Sequence, residues 1–157
     1  MDDREFRNAM GKFATGVTVI TTEVDGEPHG MTANAFMSVS LHPKLIMISI
    51  DNRANMLDKI KEANKFAVNI LADHQKDLSM HFAGQTKDER EIDFQYIENI
   101  PVLDGTLASI ACDVDNSYVV GDRTLFVGKV LDIKQTDGNP LTFFTGKYGH
   151  NQVLTTT

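Results

Sequence analysis

The sequence predicts a mainly β protein, an antiparallel barrel with a few helices packed outside it. Three observations lead there. Strand-like runs outnumber segments of helical period. The strands follow one another across short turn signals such as Asp25-Gly26, His42-Pro43 and Gly121-Asp122, as hairpins do. The strands come mostly as hairpins rather than alternating regularly with helices, as a parallel sheet would need.

The elements follow in order. "DDREFRNAMGKF" places Phe6, Met10 and Phe13 on one face of a short helix that starts with acidic residues. "TGVTVITTEVDGEPHGMTANAF" reads as two strands around Asp25-Gly26, and "AFMSVSL" and "KLIMISID" as two more. "NRANMLDKIKEANK" has helical spacing through Met56, Leu57, Ile60 and Ala63, and "KFAVNIL" is a buried strand. "DHQKDLSMHFAG" predicts a second short helix, with Asp73 as N-cap and Gly84 as stop. Residues 85–106 are polar and weakly periodic and read as a long surface loop. "LASIACDVDNSYVV" and "TLFVGKVLDIKQ" form a long hairpin, "DGNPLTFFTGKYG" finishes the domain, and residues 150–157 read as a frayed tail. No repeat or linker divides the chain, so residues 1–157 are expected to form one domain.

The 157 residues suffice for a buried core, and 41% hydrophobic with 24% charged residues is the balance of a soluble globular protein. A net charge of −7 argues against general nucleic-acid binding, which calls for a basic face. Cys112 is the single cysteine, so neither an intrachain disulfide nor a multi-cysteine metal site can form. No signal-peptide pattern and no apolar run near the roughly 20 residues of a membrane span occur, which makes a reducing, cytoplasmic compartment the expectation.

Several chemistries lack their motifs. There is no G-x-G, none of the three Gly-Lys pairs precedes Ser or Thr, and there is no G-x-S-x-G. The five histidines show no close zinc spacing, so no metal is expected. What is left is an organic cofactor whose own ring carries the chemistry.

"FRNAMGKFATGVTVITT", followed by "GMTANAFMSVSLHPKLIMISID", "KFAVNIL", "HFAG", "IPVLDGTLASIACDV", "VVGDRTLFVGKV" and "GKYG", resembles the flavin-reductase-like family over residues 4 to 150. The resemblance implies an FMN-binding Greek-key split β-barrel and a homodimer with flavin in a groove near the subunit interface. It also implies reduction of FMN or FAD by NADH or NADPH, and a separate monooxygenase component that receives reduced flavin. Two other classes stay open: a protein that holds FMN for electron transfer, and a non-enzymatic ligand barrel.

The residues fit a flavin as follows. In "TANAF", Thr32 and Asn34 can hydrogen-bond, Ala33 and Ala35 permit close approach to a ring, and Phe36 can contact its face; the same run also suits an ordinary barrel strand. "SIDNRANM" runs from a strand into a helix, so free N–H groups can face a phosphate beside Ser49, Ile50, Asp51, Asn52, Arg53 and Asn55. Asn52 or Asn55 can equally serve only as a helix cap. By resemblance, His81, Phe82, Ala83 and Gly84 lie near the flavin, and His81 can alternatively be a packing residue. Tyr148 matches a position near the nicotinamide or flavin, or closes the barrel. Relatives often read Gly-Asp-His where this chain has Gly121-Asp122-Arg123. Arg123 cannot donate a proton at neutral pH, but it can pair with a nucleotide phosphate or stay solvated at the turn. No catalytic acid or base is assigned, because hydride delivery demands none.

Overall fold

The computed structural model describes residues 1–87 and 89–155. A short helix, α1 (Asp3–Met10), opens the chain, and the Asp2 carboxylate caps it by accepting from the Glu5 N–H at 2.7 Å. Its apolar residues are not core residues: α1 buries none, Phe6 and Met10 are about half exposed, and Phe13 beyond it is 79% exposed.

Next come β1 (Thr15–Gly16), β2 (Thr18–Val24), β3 (Glu27–Ala33), β4 (Phe36–Leu41), β5 (Lys44–Asp51), α2 (Asn55–Ala63) and β6 (Lys65–Ile70). A 3-10 turn (Asp73–Gln75) leads into α3 (Lys76–Phe82), followed by β7 (Gln95–Ile97), β8 (Ile100–Val102), β9 (Ala108–Val120), β10 (Arg123–Gln135), β11 (Leu141–Phe144) and β12 (Lys147–His150). The chain is mainly β, and its strands pair antiparallel in a seven-stranded sheet β3-β2-β6-β9-β10-β5-β4, a three-stranded sheet β1-β11-β12, and the pair β7-β8.

The expected hairpins form. Asp25 and Gly26 both have positive φ, as a two-residue hairpin between right-twisted strands requires. One hydrophobic cluster takes side chains from all seven strands of the large sheet. Ile20, Phe66, Val68, Ile110, Cys112, Phe126, Ile46, Ile48 and Ile50 are buried in it, and Met31, Ala33 and Phe36 pack against it. Met56, Leu57 and Ile60 of α2 belong to the same cluster, which is what their spacing predicted.

Five expectations need correction. Residues 85–106 are not all loop, because β7 and β8 form a hairpin that buries Ile100, Val102 and Leu103. Its turn places Glu98 and Asn99 at positive φ without a glycine, so the usual turn signal is missing. The "TGVTV" run splits at Val17 into strands of two different sheets. Asp73 does not cap α3; it lies in the 3-10 turn, where the Ala72 N–H donates to Gln75 Oε1 at 2.9 Å. Gly84 does end α3, with φ +71. Neither Asn52 nor Asn55 caps α2, whose N-cap is Ala54 with no side-chain bond. The expected tail starts one residue later, since His150 pairs with Leu141; residues 151–155 are exposed without regular structure, and 156–157 lie outside the described residues.

Candidate functional site

"TANAF" is a corner rather than one strand. β3 stops at Ala33 and β4 starts at Phe36, leaving Asn34 and Ala35 to turn the chain. Their N–H groups donate to no backbone carbonyl among the described residues, while the Ala35 carbonyl accepts from the Ser49 N–H at 3.2 Å. The corner therefore lies against the end of β5, and the two sequence stretches share a wall.

That wall faces a cavity of about 600 Å³ lined by Asn34, Ala35, Phe36, Met37, Met47, Ile48, Ser49 and Ile70, together with Phe13, Ala14, Thr15, Gly16 and Thr18. Its volume is that of a small-molecule site. Phe36, Met47, Ile48 and Ile70 give it apolar walls, and Ala14, Gly16 and Ala35 leave space near the backbone. Polar atoms are few: Asn34 Nδ2 lies 3.5 Å from Thr15 Oγ1, and Ser49 is half-buried. This donor set fits a planar ring with one polar edge, as in isoalloxazine.

A smaller space of about 130 Å³ adjoins it at Asn34 and is lined by Val17, Thr32, Ala33, Ser79, Ala83, Gln85, Phe143 and Tyr148. The Thr32 hydroxyl donates to the Ser79 carbonyl at 2.6 Å, and Ser79 Oγ lies 2.7 Å from the Tyr148 hydroxyl. The Lys76 ammonium sits 5.6 Å from the centre of the Tyr148 ring, within cation–π range.

His81 and Phe82 sit at the end of α3 with their rings edge to face at 4.9 Å. Phe82 packs on β3 where Gly30 leaves room; a Cβ there would lie 2.6 Å from the Phe82 ring. His81 Nδ1 is buried and has no partner among the described residues. Ile50, expected among the cofactor-binding residues, is fully buried in the main core and paired with Thr124 of β10, so it presents no surface to a ligand.

The start of α2 carries the charged groups. The Arg53 guanidinium forks onto the Asp51 carboxylate at 3.1 and 3.2 Å, and the Arg53 N–H donates to the same carboxylate at 2.8 Å. These hydrogen bonds hold the Asp51 pKa down at about 2. Arg123 is the residue paired with Asp51 across β5 and β10, and it lowers Asp51 further through its charge. Asn52 donates its N–H to the Asp122 carbonyl at 3.0 Å, and its Oδ1 accepts from the Thr124 hydroxyl at 2.7 Å.

The two residues expected on the nicotinamide side are thus separated. Arg123 belongs to the Asp51–Arg53 end, and Tyr148 to the α3 side. Sequence reasoning also missed nine of the thirteen residues that line the large cavity, residues 13–16 among them, along with Ser79. Only the pairing of β1 with β11, between residues more than a hundred positions apart, brings residues 13–16 into place.

The fold is that of a mainly β protein with a cavity of small-molecule size against a strand corner. Residues 10–152 match the flavin reductase like domain. An NADH-dependent flavin reductase of Rhodococcus sp. is 44% identical over 151 residues, covering 94% of this chain and 86% of that protein. The solved structure of flavin reductase PheA2 in its native state superposes with a TM-score of 0.96 at 57% identity, covering 98% of this chain and all of that one. An NADH:FAD oxidoreductase of Streptomyces globisporus C-1027, SgcE6, in complex with NAD and FAD fragments, superposes with a TM-score of 0.89 at 34% identity, covering 96% and 93%. Other relatives are reductase components of monooxygenases. This chain belongs to the flavin reductase like family.

Proposed function

We propose that this chain is an NADH-dependent flavin reductase, taking FMN or FAD at the corner between β3 and β4 and handing reduced flavin to a separate monooxygenase. The observation that carries the placement is the 600 Å³ cavity in which Asn34, Ala35 and Phe36 stand beside Ser49.

Bound flavin supplies the hydride acceptor, N5, for the hydride of nicotinamide C4. The chain's residues bind and orient. Phe36, Met47, Ile48 and Ile70 exclude water from the ring, while the Asn34 and Ala35 N–H groups face charge that develops at its polar edge. The uncapped start of α2, with Asn52, Arg53 and Asn55 around it, holds the phosphate. Thr32, Ala33, His81, Phe82, Ala83 and Gly84 border the ring on the α3 side. Tyr148 offers its ring and hydroxyl to the nicotinamide from the smaller space. Arg123 serves the phosphate end, a reading favoured by its place opposite Asp51. Proximity carries the rate, and no side chain needs to transfer a proton.

The large sheet curls into a split Greek-key barrel in this reading. Its edge strands, β3 and β4, are joined by only Asn34 and Ala35. Three Cα steps reach at most about 11 Å, whereas the edges of a flat seven-stranded sheet would lie about 29 Å apart. A second copy of the chain covers the exposed apolar residues Phe13, Met37, Val39 and Leu41, two of which line the cavity. Flavin would then sit next to that interface. One cytoplasmic domain agrees with no described helix being long and apolar enough to cross a membrane.

The test is NADH and NADPH oxidation by purified protein with and without added FMN or FAD, with light scattering for the oligomer. Oxidation that depends on added flavin supports a reductase. If neither flavin supports oxidation and neither shifts the melting temperature, the proposal is overturned. A yellow protein that keeps FMN but ignores both nicotinamides would instead be an electron-transfer flavoprotein.

A further inference from the structure

The chain has seven methionines, and two of them, Met37 and Met47, line the large cavity. They stand directly opposite each other across β4 and β5, so their side chains share one face of the sheet. Neither belongs to the buried core: Met37 is 51% exposed and Met47 is half-buried. Met56, by contrast, is buried in the core, and Met31 packs against it. Met1 and Met10 are 95% and 56% exposed but are not among the residues that line the cavity. A thioether fills irregular apolar space well, yet it is open to oxidation where leucine or isoleucine is not. Two of them side by side on the wall of a redox cavity are exposed to whatever that cavity generates.

Reduced flavin that no partner carries away passes two electrons and two protons to dioxygen, leaving oxidised flavin and hydrogen peroxide. Peroxide formed inside the cavity meets its walls before it reaches solvent. The methionine sulfur takes one peroxide oxygen: an S–O bond forms, the O–O bond breaks and sulfur loses two electrons. The remainder of the peroxide leaves as water. The other lining side chains are aliphatic, aromatic, amide or hydroxyl groups, and Cys112, the one thiol, is fully buried in the core. A second copy of the chain over Met37 shields it from bulk oxidant and leaves it open to the cavity.

We propose that Met37 and Met47 are a modification site, oxidised to sulfoxide by peroxide that reduced flavin and dioxygen form in the large cavity. The proposal rests on flavin being reduced in that cavity. Each sulfoxide puts a polar S=O group on an apolar wall that faces the ring, so the oxidised protein binds flavin less tightly. Turnover with no oxygenase to take the reduced flavin thereby slows itself, and methionine sulfoxide reductases reverse the change.

In the experiment, wild type turns over NADH and FMN in air without an oxygenase, with catalase present to remove peroxide from bulk solution. A parallel sample, without NADH or flavin, receives hydrogen peroxide directly. Peptide mass spectrometry reads the gain of one oxygen at each methionine. Direct peroxide should oxidise Met1 and Met10 first, following exposure. Turnover should reverse that order, with Met37 and Met47 oxidised about tenfold faster than Met10. Turnover that oxidises Met1 and Met10 first, or leaves Met37 and Met47 intact, overturns the proposal; so does the same order in both samples. In each of those cases flavin-dependent NADH oxidation still supports the reductase reading. Wild type without flavin-dependent NADH oxidation overturns both. Sulfoxide at the two positions should raise the Kd of FMN about tenfold, and sulfoxide reductase treatment should restore it. An FMN Kd that stays unchanged overturns the loosening of flavin by oxidation.

Discussion

The Tyr148 hydroxyl lies 2.7 Å from Ser79 Oγ, joining β12 of the small sheet to α3. Ser79 is fully buried, and its carbonyl accepts from Thr32 beside the corner at Asn34. One serine therefore links the small sheet to the strand that leads into the candidate flavin site. Tyr148→Phe leaves a buried hydroxyl without its partner, which costs about 1 kcal/mol and lowers Tm by roughly 2–4 °C. Ser79→Ala in the Tyr148→Phe background should cost much less than in wild type. Thermal melts of the four proteins measure that coupling, and strict additivity would mean the bond contributes nothing.

Asp51 and Arg53 predict a pH dependence. The Arg53 side chain and N–H hold the folded Asp51 pKa at about 2, below the ordinary 3.8. A group lowered on folding binds fewer protons in the native state, so its contribution is complete above the ordinary value and fades as pH falls through the folded one. Asp51 thus favours the folded state above about pH 4 and loses that effect towards pH 2. Arg53→Ala should raise the Asp51 carboxyl titration followed by NMR towards its ordinary range. An unchanged midpoint near 2 would assign the depression to another group. The pair is exposed, with Arg53 at 88%, and the effect on global stability is accordingly small.

Asn69 is a buried junction. Its Nδ2 donates to the Val19 carbonyl at 2.9 Å and to Thr21 Oγ1 at 3.0 Å, while Oδ1 accepts from the Leu103 N–H and Ser109 Oγ at 2.9 Å each. All four hydrogen-bonding positions of the amide are used, and they tie β2, β6 and β9 to the chain after β8. Asn69→Ala leaves several buried partners unsatisfied and should cost about 2–4 kcal/mol in urea unfolding. Asn69→Asp keeps the two acceptor contacts, loses the donors, and buries a charge, so it should be at least as damaging.

These residues show what the sequence makes legible. Alternation and turn chemistry are local, so β2, β3, β5, β6, β9 and β10 are readable, as are the Asp25-Gly26 turn and the buried face of α2. The β7–β8 hairpin is not, because Glu98 and Asn99 adopt positive φ without the glycine that announces such a turn. Within the site, Asn34, Ala35, Phe36 and Ser49 stand out through their mixture of small polar and apolar types. Thr15, Gly16 and Ser79 do not, because their place depends on β1 meeting β11 and on α3 meeting β12. Non-local pairing of that kind leaves no periodic trace. Arg123 was legible as a departure from relatives, but its neighbour Asp51 emerges only from the register of β5 against β10.

Cys112 should be inert in the native protein. Burial, with a smaller contribution from Asp113, pushes its thiol pKa up to about 12, and the side chain has no exposed surface. Thiolate is the reactive form, so alkylation at neutral pH should await unfolding. Mass spectrometry after iodoacetamide treatment, with and without denaturant, checks this. Rapid native labelling would show that the β6–β9–β10 region opens locally.

Gly128 explains how the centre of the large sheet accommodates Phe66. It lies on β10 at a register shift against β9, and an added Cβ would fall 2.7 Å from Phe66 Cζ and 2.9 Å from Cys112 Cβ. Both neighbours are fully buried and cannot turn aside into solvent. Gly128→Ala should therefore destabilise by about 1–3 kcal/mol through overpacking. Phe66→Leu alone should also destabilise, because it removes buried ring atoms and leaves a gap. Together the two should cost less than their sum, since the smaller side chain vacates the space the new methyl needs. Urea unfolding of the four proteins reads the coupling, and a double variant at or beyond the sum would place the crowding at Cys112 instead.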